Sequence, residues 1–243
     1  MKFIIKHSKN YRERKGEIKY IILHCSAFAP QKQIELLDYY GLSVHYIIGR
    51  DGKVFENLLP SKVAYHAGVS SWLGSKEKSL NEYSIGIELE APTLGQNKKD
   101  YTSIQIESLC DLLKILKNKY NIKPENILGH NDISPELKPD PGKGFPWKRL
   151  AKEGYGIWYD LRSLSKTIDE KELLENIGYN TNNIYASRQA FCRHFIPDDA
   201  GKYVEVSKLV DYPFIAKFMP KNYERYLKIL RATSLSFDKF RQK

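Results

Sequence analysis

The feature that most constrains the fold is a short apolar run at residues 19–25, with the sequence KYIILHC. Apolar and β-branched runs of this length are typical of a strand buried inside a sheet. The run delivers His24 to the carboxyl end of the predicted strand, where site residues are common. The sequence therefore predicts a central sheet with a candidate site residue at one edge.

Further strands follow from turn signals and from alternation. Residues 44–48 and 53–58 flank Gly49-Arg50-Asp51-Gly52, and an Asp-Gly pair between two such runs predicts an antiparallel hairpin. Residues 84–89, SIGIEL, alternate apolar with small or polar side chains, so Glu88 points away from the apolar face. Residues 126–130 predict one more short strand, leading into an ordered loop over 131–147.

Helical spacing appears on both sides of these strands. It predicts a helix over 31–40 and a longer one over 102–120, where Thr102 and Gln105 form a capping box. Beyond residue 163, Thr167 and Glu170 predict another capping box, and residues 184–195 and 223–230 are predicted helical. We therefore expect an α/β (α+β) fold. A mixed central β-sheet covered by helices occupies residues 1–163, and a small all-α domain occupies 164–243.

Charge and cysteine content narrow the function classes. The chain carries 39 Lys and Arg against 29 Asp and Glu, a net charge of +10, which favours polyanions such as nucleic acid, acidic lipid or anionic wall polymer. No basic block reaches five residues and no zinc-finger spacing occurs, so we expect no nucleic-acid partner. Three scattered cysteines predict neither a disulfide framework nor a thiolate cluster. No apolar stretch approaches the roughly 20 residues of a membrane span.

The segment 129–142, GHNDISPELKPDPG, places His130 and Asp140 in one proline-stiffened loop. A hydrolytic zinc site uses three protein ligands of N or O type and leaves its fourth position to water. One further histidine from a neighbouring strand would complete such a site, and His24 is the natural candidate. A lone histidine at a strand end is more often a structural residue, so the prediction depends on all three together.

At this point several separated motifs match one family in order. They are His24 in ILHCSA, His45-Tyr46 before the hairpin, His66-Ala67-Gly68, Asn81, SIGIE with Glu88, and the 129–142 loop. Over roughly residues 17–160 the chain resembles the zinc-dependent N-acetylmuramoyl-L-alanine amidases of the type-2 amidase family. That family includes bacterial amidases, phage lysozyme-type amidases and the peptidoglycan recognition proteins. The resemblance implies one zinc ion held by His24, His130 and Asp140.

The resemblance also implies that Glu88 and Lys138 are catalytic. The implied reaction is hydrolysis of the amide between the lactyl group of N-acetylmuramic acid, ordinary or 1,6-anhydro, and L-alanine of the stem peptide. Zinc lowers the pKa of water, Glu88 shuttles its proton and Lys138 faces the developing oxyanion. The alternatives are a solvated strand carboxylate for Glu88 and a surface lysine for Lys138.

Substrate contact is expected from Tyr46, His66, Trp72 and Asn81, although aromatic and histidine side chains of this kind could equally belong to the core. A second hypothesis is a peptidoglycan recognition module that binds without cleaving, because one fold serves both roles in the family. A binder has no need of the three ligands together with Glu88 and Lys138. The complete set therefore favours catalysis.

The C-terminal part is similar to the helical peptidoglycan-binding module of some envelope enzymes, on residues 177–180 and 190–197. Its segment from 198 to 220 is longer than that pattern, so a stabilising helical appendage is the alternative. We expect peptidoglycan or muropeptides as partners, and a monomer. We expect the periplasm or cell envelope as the compartment. The cytoplasm is the alternative because the chain begins without an export signal.

Overall fold

The computed structural model describes residues 1–75, 78–201 and 217–242. Most of the segment from 198 to 220 that the sequence singles out lies outside these residues. The strands are β1 (Phe3–Ile5), β2 (Tyr11–Glu13), β3 (Tyr20–Ser26), β4 (Tyr46–Ile48), β5 (Val54–Glu56), β6 (Lys62–Ala64), β7 (Ser84–Glu90) and β8 (Ile127–Gly129). The helices are α1 (Pro30–Tyr39), α2 (Ser103–Tyr120), α3 (His130–Ile133), α4 (Trp147–Lys152), α5 (Glu170–Ile177), α6 (Ile184–Phe195) and α7 (Tyr223–Arg241).

Six strands form one mixed sheet in the order β1-β5-β4-β7-β3-β8, and β2 pairs with β6 in a separate ribbon. The apolar run is β3, which lies between β7 and β8 and is parallel to both. The hairpin predicted around Asp51-Gly52 is confirmed as the antiparallel pair β4 and β5. Because β3, β7 and β8 run the same way, their carboxyl ends meet at one edge of the sheet.

One face of the sheet packs against α2 in the first apolar cluster, which includes Cys25. Side chains alternate along a strand, so Cys25 faces this cluster while His24 faces the other side, as the sequence predicts. The helix α2 begins where predicted, since the Thr102 hydroxyl accepts from the Gln105 N–H at 3.2 Å. The second half of the predicted capping box is wrong: the Gln105 amide instead donates to the carbonyls of Ile48 and Glu90.

The opposite face is covered, away from the strand ends, by α5, α6 and α7. Ile22 of β3 and Leu128 of β8 lie in a second apolar cluster with Leu174 of α5, Phe191 of α6 and Leu230 of α7. The C-terminal helices therefore share a core with the sheet. This arrangement confirms the predicted α/β class with C-terminal helices, while the boundary at 163 and 164 stays a prediction.

Two local predictions differ from the structure at helix ends. Helix α5 begins with Asp169 as its N-cap, whose carboxylate accepts from the Glu172 N–H at 2.8 Å, so the capping box predicted at Thr167 is wrong. Helix α7 continues to Arg241, well beyond the predicted end at residue 230. Among the helices that the structure describes, none has the length and apolar character that crossing a membrane requires.

Candidate metal centre

Parallel strand ends bring the two predicted histidine ligands together. His24 is the fifth residue of β3, and His130 follows β8 directly, where it opens the short helix α3. Both side chains are buried, with 2% and 4% exposure. The loop then folds back, because the Asn131 N–H donates to the Asp140 carbonyl at 2.8 Å, and this returns the Asp140 carboxylate to the two imidazoles.

Three donor atoms converge at this point. His24 Nδ1 lies 2.9 Å from His130 Nδ1, and Asp140 Oδ2 lies 3.2 Å from the first and 3.1 Å from the second. Donor atoms that each bind one tetrahedral zinc ion at about 2.0 Å are about 3.3 Å apart. The three groups thus fit one face of a tetrahedral site, and their N and O donors suit a hydrolytic metal.

Hydrogen bonds behind the imidazoles leave the converging nitrogens free to act as ligands. His130 Nε2 lies 3.2 Å from the Ala67 carbonyl, so it carries the proton and Nδ1 keeps its lone pair. His24 Nε2 lies 3.0 Å from His66 Nδ1, and His66 Nε2 lies 3.2 Å from the Ser84 hydroxyl. Such partners fix the tautomer and orientation of metal-binding histidines.

The proton positions in this relay follow from its far end. The Ser84 hydroxyl donates to the Leu80 carbonyl at 2.8 Å, so its oxygen must accept from His66 Nε2–H. His66 Nδ1 is then unprotonated and accepts the hydrogen bond that His24 Nε2–H donates. The relay from Leu80 to His24 therefore leaves His24 Nδ1 unprotonated and directed at the other two donors.

Gly86 provides the space that this relay needs. A Cβ atom at Gly86 would lie 2.6–2.9 Å from atoms of the His66 ring, which is closer than carbon atoms pack. Gly86 and Glu88 are two residues apart and face the same side of β7. The His66 ring therefore packs against β7 on the side of the sheet that carries the candidate metal site. The SIGIE motif thus contributes a glycine as well as a carboxylate.

Burial and charge set the protonation of the donors. Burial lowers the pKa of His24 to about 4, and the neighbouring His130 adds to this effect. Burial alone would raise the pKa of Asp140, but the two imidazoles outweigh it and hold that pKa well below its usual range. A neutral imidazole and an ionised carboxylate are the forms in which these side chains bind metal.

Glu88 pairs with His24 in the register of β7 and β3 and faces the same side of the sheet. Its Oε2 is buried and has no hydrogen-bond partner among the described residues. Burial raises the pKa of Glu88 to about 8, helped by the charge of Asp140, while a hydrogen bond from the Gln33 amide opposes the increase. Glu88 is thus a partly buried residue whose buried Oε2 atom is free to take another partner.

These groups line a cavity of about 330 Å³. Its polar wall contains the three donors, Glu88, Lys138, His66 and Asn81. The Asn81 side-chain oxygen accepts from the N–H groups of His66 and Ala67 at 3.1 and 2.7 Å. Asn81 therefore also holds the segment that carries His66. The cavity combines three candidate metal ligands, a carboxyl oxygen free to accept a proton and a lysine that can stabilise negative charge. Groups of these three kinds are what metal-assisted hydrolysis requires.

Comparison with known proteins agrees with this geometry. A family model described as N-acetylmuramoyl-L-alanine amidase matches residues 14–143. The chain is 32% identical to N-acetylmuramoyl-L-alanine amidase AmiD of Escherichia coli K12, over 74% of this chain and 75% of AmiD. The chain belongs to the N-acetylmuramoyl-L-alanine amidase family.

Two further similarities place this amidase within the family. It is 42% identical to the 1,6-anhydro-N-acetylmuramyl-L-alanine amidase AmpD of Enterobacter cloacae, over 45% of this chain and 55% of AmpD. The structure of E. coli AmiD with anhydro-N-acetylmuramic acid-L-Ala-D-gamma-Glu-L-Lys superimposes with a TM-score of 0.71 at 26% identity. That match covers 97% of this chain and 100% of AmiD, so the similarity in fold includes the C-terminal helices.

Two of the residues predicted to contact the substrate of this amidase are instead found in its apolar core. Tyr46 is 4% exposed and packs against Phe3 in the first apolar cluster. Trp72 is 1% exposed and packs against Tyr179 and Phe237 in the second. Neither side chain lines the cavity, so the predicted contacts are corrected to core packing.

Sequence reasoning missed part of the amidase's cavity wall. One side is formed by Leu37 of α1 and by Leu42, Ser43 and Val44 after it, and Tyr65, which follows β6, also lines the cavity. Gln33, which bonds Glu88, also lies on α1 and is 3% exposed. Leu37 fits the apolar spacing of an ordinary amphipathic helix, so no signal separates it from core residues. A buried glutamine on that helix is the one anomaly that points to a neighbouring site.

Proposed function

We propose that this amidase uses one zinc ion, held by His24, His130 and Asp140, to cleave muropeptides at the bond between the lactyl group and L-alanine. The observation that carries the proposal is the convergence of three N and O donors within 3.2 Å of one another. A free, buried carboxyl oxygen of Glu88 lines the same cavity. A zinc ion in this place supplies a Lewis acid that lowers the pKa of water towards about 7.

Glu88 is proposed as the group that moves the proton. The carboxylate takes a proton from the attacking water as the water oxygen bonds to the amide carbon. Glu88 then gives that proton to the alanine nitrogen as the C–N bond breaks, which releases the lactyl group as a carboxylic acid and L-alanine as a free amine. The second proton of the water then passes from this acid to the amine, which leaves a carboxylate and an ammonium group. The raised pKa of Glu88 suits a group that both accepts and donates near neutral pH.

Lys138 is proposed to stabilise the negative charge that develops on the amide oxygen. It is two residues from Asp140 and lines the same cavity, so its ammonium group can reach the oxyanion while the three ligand side chains hold the metal. His66 and Asn81 also line the cavity. His66 bonds His24, and Asn81 bonds the backbone at residues 66 and 67. We therefore propose that both residues hold the metal ligands in place, and that contact with the substrate is a second role.

Relatives suggest the substrate. AmpD of E. cloacae is a 1,6-anhydro-N-acetylmuramyl-L-alanine amidase, and the AmiD complex contains an anhydro-muramoyl peptide. We propose anhydro-muropeptides as substrates of this amidase. The cavity's apolar side, formed by Leu37, Leu42 and Val44, offers a surface for the alanine methyl group and the sugar ring face.

Chelation tests the metal and the bond together. We expect a strong chelator to abolish release of L-alanine-terminated peptide from a defined anhydro-muropeptide, and one equivalent of zinc to restore it. Product masses from anhydro and reduced muropeptides, with metal content measured in parallel, check both points. Turnover that persists in protein with less than a tenth of an equivalent of metal would refute the proposal, and cleavage at another bond would refute the substrate assignment.

A further inference from the structure

Asp132 is a fully buried carboxylate in the loop that carries the metal ligands, two residues after His130. Its Oδ2 accepts from the Gly129 N–H at 2.8 Å, which ties the end of β8 to the helical turn α3. The carboxylate thereby sets how the chain turns between Gly129 and Ile133. His130 opens this turn, so the direction of its imidazole depends on the turn's geometry.

The other strong partners of Asp132 come from the C-terminal helices. The Tyr179 hydroxyl donates to Oδ1 at 2.7 Å, and His194 Nδ1 lies 2.8 Å from Oδ2. Tyr179 lies two residues after the end of α5, and His194 lies in α6. Both are buried, at 3% and 5% exposure. Next to Asp132, the Asn131 amide donates to the Ala190 carbonyl of α6 at 3.1 Å.

The partners of Asp132 are themselves held firmly. The His194 ring stacks on Trp147 and on Phe195, with ring centroids 3.9 and 4.0 Å apart. The Tyr179 ring packs edge-on against Trp72. Because packing holds both donor side chains, their two hydrogen bonds to Asp132 restrain the loop. A buried carboxylate that lost one of them would be left partly unpaired, at a substantial cost in free energy.

We infer that Tyr179 and His194 are positioning residues for the metal centre, and that they act on His130 through Asp132. The C-terminal helices are then part of the zinc site's support as well as a cover for the sheet. This inference rests on the proposed zinc chemistry.

Zinc affinity measured by competition with a chromophoric chelator tests the inference without using activity. Tyr179→Phe removes one hydroxyl from Asp132, and we expect zinc to bind about 10-fold more weakly. Tyr226→Phe is the matched control, because its hydroxyl donates to the Glu170 carboxylate at 2.7 Å in the same apolar cluster. We expect the control to lose comparable stability in urea and to keep wild-type zinc affinity.

A second pair of variants tests the same inference if Tyr179→Phe folds poorly. His194→Asn keeps a donor near the position of Nδ1 and should retain zinc affinity, whereas His194→Leu removes the donor and should lose it. The visible spectrum of the cobalt-substituted protein should change in Tyr179→Phe and His194→Leu alone. Wild-type zinc affinity in both of these variants would overturn the inference. A wild-type protein that binds no zinc would instead refute the proposed metal chemistry.

Discussion

Glu88→Gln is expected to lower kcat by about 100- to 10,000-fold while zinc remains bound. Glutamine has nearly the shape of glutamate but cannot take up the proton of the attacking water. The side chain faces the cavity beside His24 without joining the three converging donors, so the metal site should persist. Steady-state cleavage of an anhydro-muropeptide, with metal content measured on the same sample, checks both halves of this expectation.

The matched control for this prediction is Glu90→Gln on the same strand. The Glu90 carboxylate accepts from the Arg50 N–H at 3.1 Å and does not line the cavity. This control should keep kcat within about threefold of wild type, since it touches no reacting group. If Glu88→Gln retained more than a tenth of wild-type kcat with zinc bound, proton transfer would have to be assigned to another group.

Strands that are set by short-range patterns could be predicted from the sequence. The buried run of β3, the Asp-Gly hairpin and the alternation in β7 each depend on neighbouring residues, and all three are confirmed. The N-cap of α5 was assigned to the wrong residue, because Thr167 and Asp169 both precede the helix and both suit an N-cap. The Glu170 carboxylate is instead used by Arg188 at 2.6 Å, a partner distant in sequence.

In the candidate site too, the residues indicated by local sequence patterns could be predicted, and those that depend on distant contacts could not. His24, His130 and Asp140 could be predicted because ligand types and a stiff loop are visible in sequence, and the structure brings the three together. Tyr46 and Trp72 were misplaced, because an aromatic side chain suits a substrate groove and an apolar core equally well. The bond from Tyr179 to Asp132 joins residues 47 positions apart, and no local pattern indicates such a pair.

Replacing His66 by leucine should weaken zinc binding by about 10- to 100-fold. Leucine removes the acceptor for His24 Nε2–H, which lies 3.0 Å from His66 Nδ1. The buried N–H would then be unpaired, at a cost of about 1–3 kcal/mol, and the His24 ring could rotate or change tautomer. Chelator competition measures the affinity, and urea unfolding of the metal-free protein measures the accompanying loss of stability.

Two further variants distinguish loss of the His66 hydrogen bond to His24 from loss of side-chain packing. In His66→Asn the side-chain oxygen can occupy the place of Nδ1 and accept from His24, so zinc affinity should recover most of the loss. In His45→Leu a second buried imidazole is removed, one whose ring centroid lies 5.8 Å from that of His66. His45 bonds the Gly86 N–H and the Lys62 carbonyl, so its loss should lower stability and leave zinc affinity unchanged. Equal loss of affinity in His45→Leu and His66→Leu would mean that packing around Gly86, and not the tautomer of His24, controls the metal site.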